Sequence, residues 1–145
     1  MENREELVRL IKKQIEIEND HVKRLDELQK KVRTAAAQLL LYEMQLDSQK
    51  HASILSGTLK VLKGVPPSKT LWNYRIESYV DESVVKQELE THMKMETEVL
   101  DHVEKEIEKT KDEGLKLLLQ NIAEDEKKHH KILGVIVKHS YEFIP

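Results

Sequence analysis
Apolar residues fall in four long stripes along this chain. From about Glu2 to Val32, residues Leu7, Ile11, Ile15, Val22, Leu25 and Val32 recur at spacings of three, four and seven, the periodicity of an amphipathic helix. Thr34 can cap a second helix whose stripe runs through Leu41, Met44, Ala52, Leu55, Leu59 and Leu62, and Gly64 with the Pro66-Pro67 pair stops it. A third stripe starts near Asp81, passes Val85, Leu89, Met93, Leu100, Val103 and Ile107, and ends around Lys111. Asp112 or Glu113 opens the fourth, which carries Leu115, Leu119, Ile122, Leu133 and Val137 and runs to about His139.

Helices one and two, and helices three and four, are joined by short links, so each pair forms an antiparallel hairpin. The segment Gly64 to Val80, which holds those two prolines and the one Trp, Trp72, is too long for a tight turn and reads as a crossover with room for a helical turn. The expected architecture is all-α: a single domain over residues 1–145, with hairpin 1 over about 2–63, the crossover over about 64–80 and hairpin 2 over about 81–140. Together these make a four-helix bundle.

Each stripe is interrupted near its middle by residues that do not belong in an apolar face. Glu18 falls between Ile15 and Val22, Ser48 and His51 between Met44 and Leu55, Glu96 between Met93 and Leu100, and Glu126 and His129 between Ile122 and Leu133. Burying a carboxylate costs several kcal/mol unless it is paired or bound to a cation. A layer of such residues therefore points to a metal ion.

Two observations support one shared layer. Shifting the chain by 78 positions superposes Leu39–Leu41 on Leu117–Leu119, Asp47 on Asp125, His51 on His129 and Glu18 on Glu96, the register of a duplicated hairpin. With the turns at residues 33 and 111, Glu18 and Ser48 each lie 15 residues from the first, and Glu96 and Glu126 each lie 15 from the second. At a rise of ~1.5 Å per residue both layers sit ~22 Å from their hairpin tips. Antiparallel packing of the hairpins then brings the layers together, with His51 and His129 one turn on from Ser48 and Glu126 on the same face.

Composition narrows the chemistry. Of 145 residues, 35% are charged and 4% aromatic, with 4 Gly and 3 Pro, which favours long helices. The net charge of −3 with interspersed signs gives nucleic acid no basic face. With no cysteine, a disulfide framework, a thiolate zinc site and an iron–sulfur cluster are excluded, and any metal must be held by Glu, Asp and His. The first residues lack the pattern of a signal peptide, and no segment has the ~20 consecutive apolar residues needed to span a bilayer. The expected compartment is the cytoplasm, without membrane partners.

These residues resemble the ferritin-like di-iron carboxylate proteins, rubrerythrin in particular, whose pattern is a Glu on each of two helices and Glu-x-x-His on each of the other two. Asp125-Glu126-Lys127-Lys128-His129 is similar to the family's Asp-Glu-x-x-His run, and the likeness covers the whole bundle without a rubredoxin part. The resemblance implies terminal carboxylates at Glu18 and Glu96, a bridging carboxylate at Glu126, nitrogen ligands at His51 and His129, and one or two Fe ions, or Mn, as cofactor. It also implies redox handling of peroxide, dioxygen or ferrous iron, of the peroxidase or ferroxidase type, fed by an external electron donor because there is no thiolate relay.

The sequence departs from the pattern at Asp47-Ser48-Gln49-Lys50-His51, where the second bridging Glu is Ser48. Serine is a poor ligand and too short to bridge two ions. Asp47, Glu43 and His92 are neighbours that compensate only with difficulty; Asp47 lies ~100° round the helix from Ser48. Three outcomes stay open: an asymmetric pair of metals, one ion near Glu96, Glu126 and His129, or none, the last being a non-catalytic interaction or structural protein.

His21, three residues after Glu18, is a weaker ligand candidate. His102, His130 and His139 are expected at the surface, and Met93 and Met95 in the core. Tyr42, Tyr74 and Tyr79 are placed no further, at the site or a subunit contact. The Trp72 segment is expected at a homodimer contact.

Overall fold
The computed structural model describes residues 3–144. It holds four α-helices and, among the described residues, no strand: α1 Arg4–Gln29, α2 Ala35–Gly64, α3 Glu82–Lys109 and α4 Glu113–Ile136, followed by a π-helical segment, Val137–Tyr141. The all-α class and the four helices agree with the hydrophobic pattern. The start expected near Glu2 lies outside the described residues.

The helix starts follow from side-chain capping. Asn3, Thr34, Asp81 and Asp112 are the N-caps, and their side-chain oxygens accept hydrogen bonds from the backbone N–H groups of Glu6, Ala37, Ser83 and Leu115 at 3.1, 3.2, 2.8 and 3.0 Å. Each satisfies one of the donors that a helix N-terminus leaves unpaired.

The ends depart modestly from the periodicity. α1 stops at Gln29, short of Val32, because Lys30 and Lys31 bond back three residues to Glu27 and Leu28 and tighten the last turn, while Thr34 must be extended to cap α2. α2 stops at Gly64, where Val65, preceding Pro66, takes the extended conformation that a following proline favours. α4 does not continue regularly to His139 but widens into π turns after Ile136. The crossover contains the helical turn for which it has room, closed by Tyr74 N–H on Thr70 C=O at 3.0 Å.

The chain divides within this crossover into two compact units, Met1–Tyr74 and Arg75–Pro145. In hairpin 1, α1 and α2 meet along a seam where Ser48 and Ala52 are buried, small residues that let two helix backbones approach. The polar groups of that seam pair across it: Gln29 donates to Gln45 Oε1 at 2.7 Å, and Gln45 in turn donates to Val22 C=O at 3.3 Å. At the far end the Arg4 guanidinium donates to Val65 C=O at 2.6 Å and ties the start of α1 to the end of α2.

Hairpin 2 buries Val103 of α3 and Ala123 of α4. Its C-terminal segment returns to α3, where Lys86 Nζ donates to Ile144 C=O. Met44, Leu115 and Ile122, expected in the apolar face, are exposed, as is Met95, expected in the core. No described helix is long and apolar enough to cross a membrane.

Candidate metal centre
The hairpin register decides which polar residues meet. In hairpin 1, Glu18 on α1 has its side chain largely buried, and its Oε2 accepts a hydrogen bond from Nδ1 of His51 on α2 at 3.0 Å. An ionised carboxylate only accepts, so His51 carries its proton on Nδ1. The pair borders an open groove of about 430 Å³, lined also by His21, Arg24, Asp47 and the buried Ser48. Asp47 turns toward Lys50, with Nζ at 3.5 Å. Glu18 and His51 thus satisfy one another directly, and the buried Ser48 lies beside them in the groove.

Hairpin 2 uses the equivalent residues differently. Glu96 on α3 and Glu126 on α4 are 13% and 18% exposed, and His129, one turn on from Glu126, is 47% exposed. His129 Nδ1 lies 3.9 Å from Glu96 Oε2 and 4.0 Å from Glu126 Oε1, too far for hydrogen bonds. One ligand atom from each of the three residues lies within 4.8 Å of the other two. The second oxygen of Glu96, Oε1, faces Nε2 of His92 at 3.1 Å.

The electrostatics of this cluster are those of two carboxyls competing for one proton. Glu126, acting as hydrogen-bond donor, holds the Glu96 carboxyl below the usual glutamate range against the opposing effect of burial, and His129 and His92 add to the lowering. The same hydrogen bond, burial and the charge of Glu96 push Glu126 upward. With both groups ionised, Glu96 Oε2 is buried and has no hydrogen-bond partner. A buried anionic oxygen in that condition calls for a proton or a cation.

The donor set fits a cation. Two carboxylates and an imidazole suit iron or manganese, and His129 Nδ1, 3.9 and 4.0 Å from the nearer oxygens of Glu96 and Glu126, is not closed onto either carboxylate. Hairpin 1 brings one carboxylate and one imidazole into direct contact and leaves no space between them.

The rubrerythrin family model matches residues 9–135. The chain belongs to the rubrerythrin family. No match is found among curated proteins or among solved structures. For a rubrerythrin-family chain the departure at Ser48 stands out, because the matching position of hairpin 2 holds the Glu126 carboxylate.

Of the five residues with which the sequence populates the layer, hairpin 1 joins Glu18 to His51 and hairpin 2 joins Glu96, Glu126 and His129. Of the weaker candidates, His92 contacts Glu96, His21 lines the groove beside Glu18, and Asp47 is drawn to Lys50. His102 and His130 are exposed as expected, the former facing Glu106 at 3.8 Å. Arg24 in the groove went unnoticed in the sequence; its place one turn after His21 was the available signal, but its Nε pairs with Asp20 at 2.7 Å like any surface arginine.

Proposed function
We propose that this rubrerythrin-family protein binds one Fe or Mn ion per chain through Glu96, Glu126 and His129 of hairpin 2, and uses it in redox chemistry on peroxide, dioxygen or ferrous iron. The observation that carries the reading is the buried Glu96 Oε2, which has no donor once Glu126 is ionised and stands beside a second carboxylate and an imidazole. A bound ion would supply Lewis acidity and a one-electron couple at this point.

The chain's own residues prepare the place. Glu96 and Glu126 are shielded from water, which strengthens their attraction for a cation, while the half-exposed edge formed by His92 and His129 leaves an approach for a small oxidant. Glu126 keeps its proton to higher pH than an ordinary glutamate and releases it when a cation takes its place. Glu18 and His51 form a second donor pair at the equivalent positions of the repeat, but Ser48 supplies no bridging carboxylate, which favours one ion over two. The absence of cysteine makes an external electron donor part of the proposal, and a homodimer is the proposed assembly.

Ser48 and the closed Glu18–His51 pair favour one rival: a metal-free member of the family that serves as an interaction or structural protein. Metal analysis of protein purified without chelator, with Glu126→Ala as control, separates the two. About one ion per chain, lost in the variant, is expected. Fewer than about 0.2 ions per chain, unchanged by added Fe(II) or Mn(II), would sink the metal reading. A loaded protein that neither oxidises Fe(II) nor consumes peroxide would keep the site and remove the redox role.

A further inference from the structure
We propose that His92 is a positioning residue for the ion: it pins Oε1 of Glu96 so that Oε2 alone is presented to Glu126 and His129. The proposal rests on the reading of those three residues as metal donors.

His92 precedes Glu96 by four residues on α3, and its Nε2 lies 3.1 Å from Glu96 Oε1. A carboxylate oxygen accepts, so this contact is a hydrogen bond donated by His92 Nε2–H to Glu96 Oε1. The three ligand atoms that gather within 4.8 Å come from Glu96, Glu126 and His129, and His92 sits on the other oxygen of Glu96. Its place is behind the carboxylate rather than among the donors. A carboxylate free to rotate about its last bond offers either oxygen or both; one held at Oε1 offers a single, directed donor.

The internal repeat gives the inference its contrast. Glu96 matches Glu18 and His129 matches His51 at the same offset of 78, whereas the residue that matches His92 is Gln14. In hairpin 1 the cross-helix histidine itself bonds the carboxylate, His51 Nδ1 to Glu18 Oε2 at 3.0 Å. In hairpin 2 that role passes to His92 within α3, and the cross-helix histidine stands off at 3.9 Å from Glu96. The extra histidine thus relieves His129 of holding Glu96 and leaves the donor set open.

Partners that orient a metal-binding carboxylate without touching the metal typically affect affinity about 10–100-fold. The test is Mn(II) and Co(II) titration of the full chain carrying His92→Leu or His92→Gln. Glutamine at the same place can still donate across one helical turn to Glu96. The expected result for His92→Leu is a dissociation constant weaker by about 10–100-fold at unchanged stoichiometry, with His92→Gln within about threefold of wild type. The visible Co(II) spectrum should stay the same in His92→Gln, because the coordinating atoms are the same. His92 is 53% exposed, so thermal unfolding of the metal-free variants should match wild type, which checks that the fold is intact.

Wild-type affinity in His92→Leu would overturn the proposal. So would equal weakening in both variants with an altered Co(II) spectrum, the signature of a direct ligand. A wild-type chain that takes up neither ion overturns the metal reading itself, and the proposal with it, before any His92 variant is compared.

Discussion
Glu126 has two states to serve, and its environment sets them against each other. Its carboxyl is pushed above the ordinary glutamate value of 4.5 and that of Glu96 below it, chiefly by the hydrogen bond between them. A raised folded-state pKa means that Glu126 stabilises the fold below 4.5 and loses that contribution as pH rises through its own elevated value. The depressed pKa of Glu96 means stability present above 4.5 and lost as pH falls through its lowered value. For the metal-free protein, this pair contributes most in the window between the two pKa values, which brackets 4.5. A cation replaces the shared proton, so Mn(II) affinity should rise with pH through the elevated Glu126 pKa, as isothermal titration across pH would record. Glu126→Gln keeps a donor against Glu96 at every pH and removes a charge. It should raise the melting temperature of the metal-free protein at pH 7 by a few degrees while weakening Mn(II) binding at least about tenfold. A lower melting temperature with unchanged binding would contradict both halves of this account. These residues were legible as a group because carboxylates and histidines interrupted apolar stripes in one register. That Glu96 divides its two oxygens between His92 and the cluster was not legible, since helical spacing says which side chains are neighbours but not which atom meets which.

Among the elements, the starts of α2, α3 and α4 were readable to within a residue because Thr34, Asp81 and Asp112 precede their apolar runs, whereas α1, expected from about Glu2, begins at Arg4 after the cap Asn3. Thr34 and Asp112 are the clearest, each accepting from the backbone N–H three residues on. Thr34→Ala or Asp112→Ala should each cost about 1 kcal/mol in urea denaturation. Gly57, inside α2, offers a change in the opposite direction. A methyl group there would meet nothing within 4 Å, so Gly57→Ala should stabilise by about 0.5–1 kcal/mol, chiefly through the entropy of the unfolded chain. The ends of the elements were less readable. α1 stops before Val32 and α4 gives way to π turns before His139, because an apolar period continues past the point where the backbone must turn or where another contact, such as Lys86 with Ile144, takes over.

For the whole molecule, metal is expected to couple to stability through mass action. An ion that binds only the folded chain should stabilise it by ~2.7 kcal/mol at one hundred times its dissociation constant, and the shift should vanish in Glu126→Ala. Differential scanning with and without Mn(II), before and after a chelator, checks both statements. The sequence by itself determined the helical class, the pairing of helices within each hairpin and which carboxylates and histidines interrupt the apolar stripes, because these depend on periodicity, caps and loop lengths, all of which are local or nearly so. The repeat and the distance of each layer from its tip also told which residues share a level within a hairpin. Only the tertiary structure decided that the two equivalent layers differ in kind: Glu18 and His51 close on each other beside Ser48, while His129 stands off from Glu96 and Glu126, whose buried oxygen has no donor once both are ionised. The difference between a satisfied pair and an open set of donors is less than 1 Å in one distance, 3.0 against 3.9 Å. Packing between helices and a neighbouring histidine set that distance, and no pattern along the chain encodes it directly.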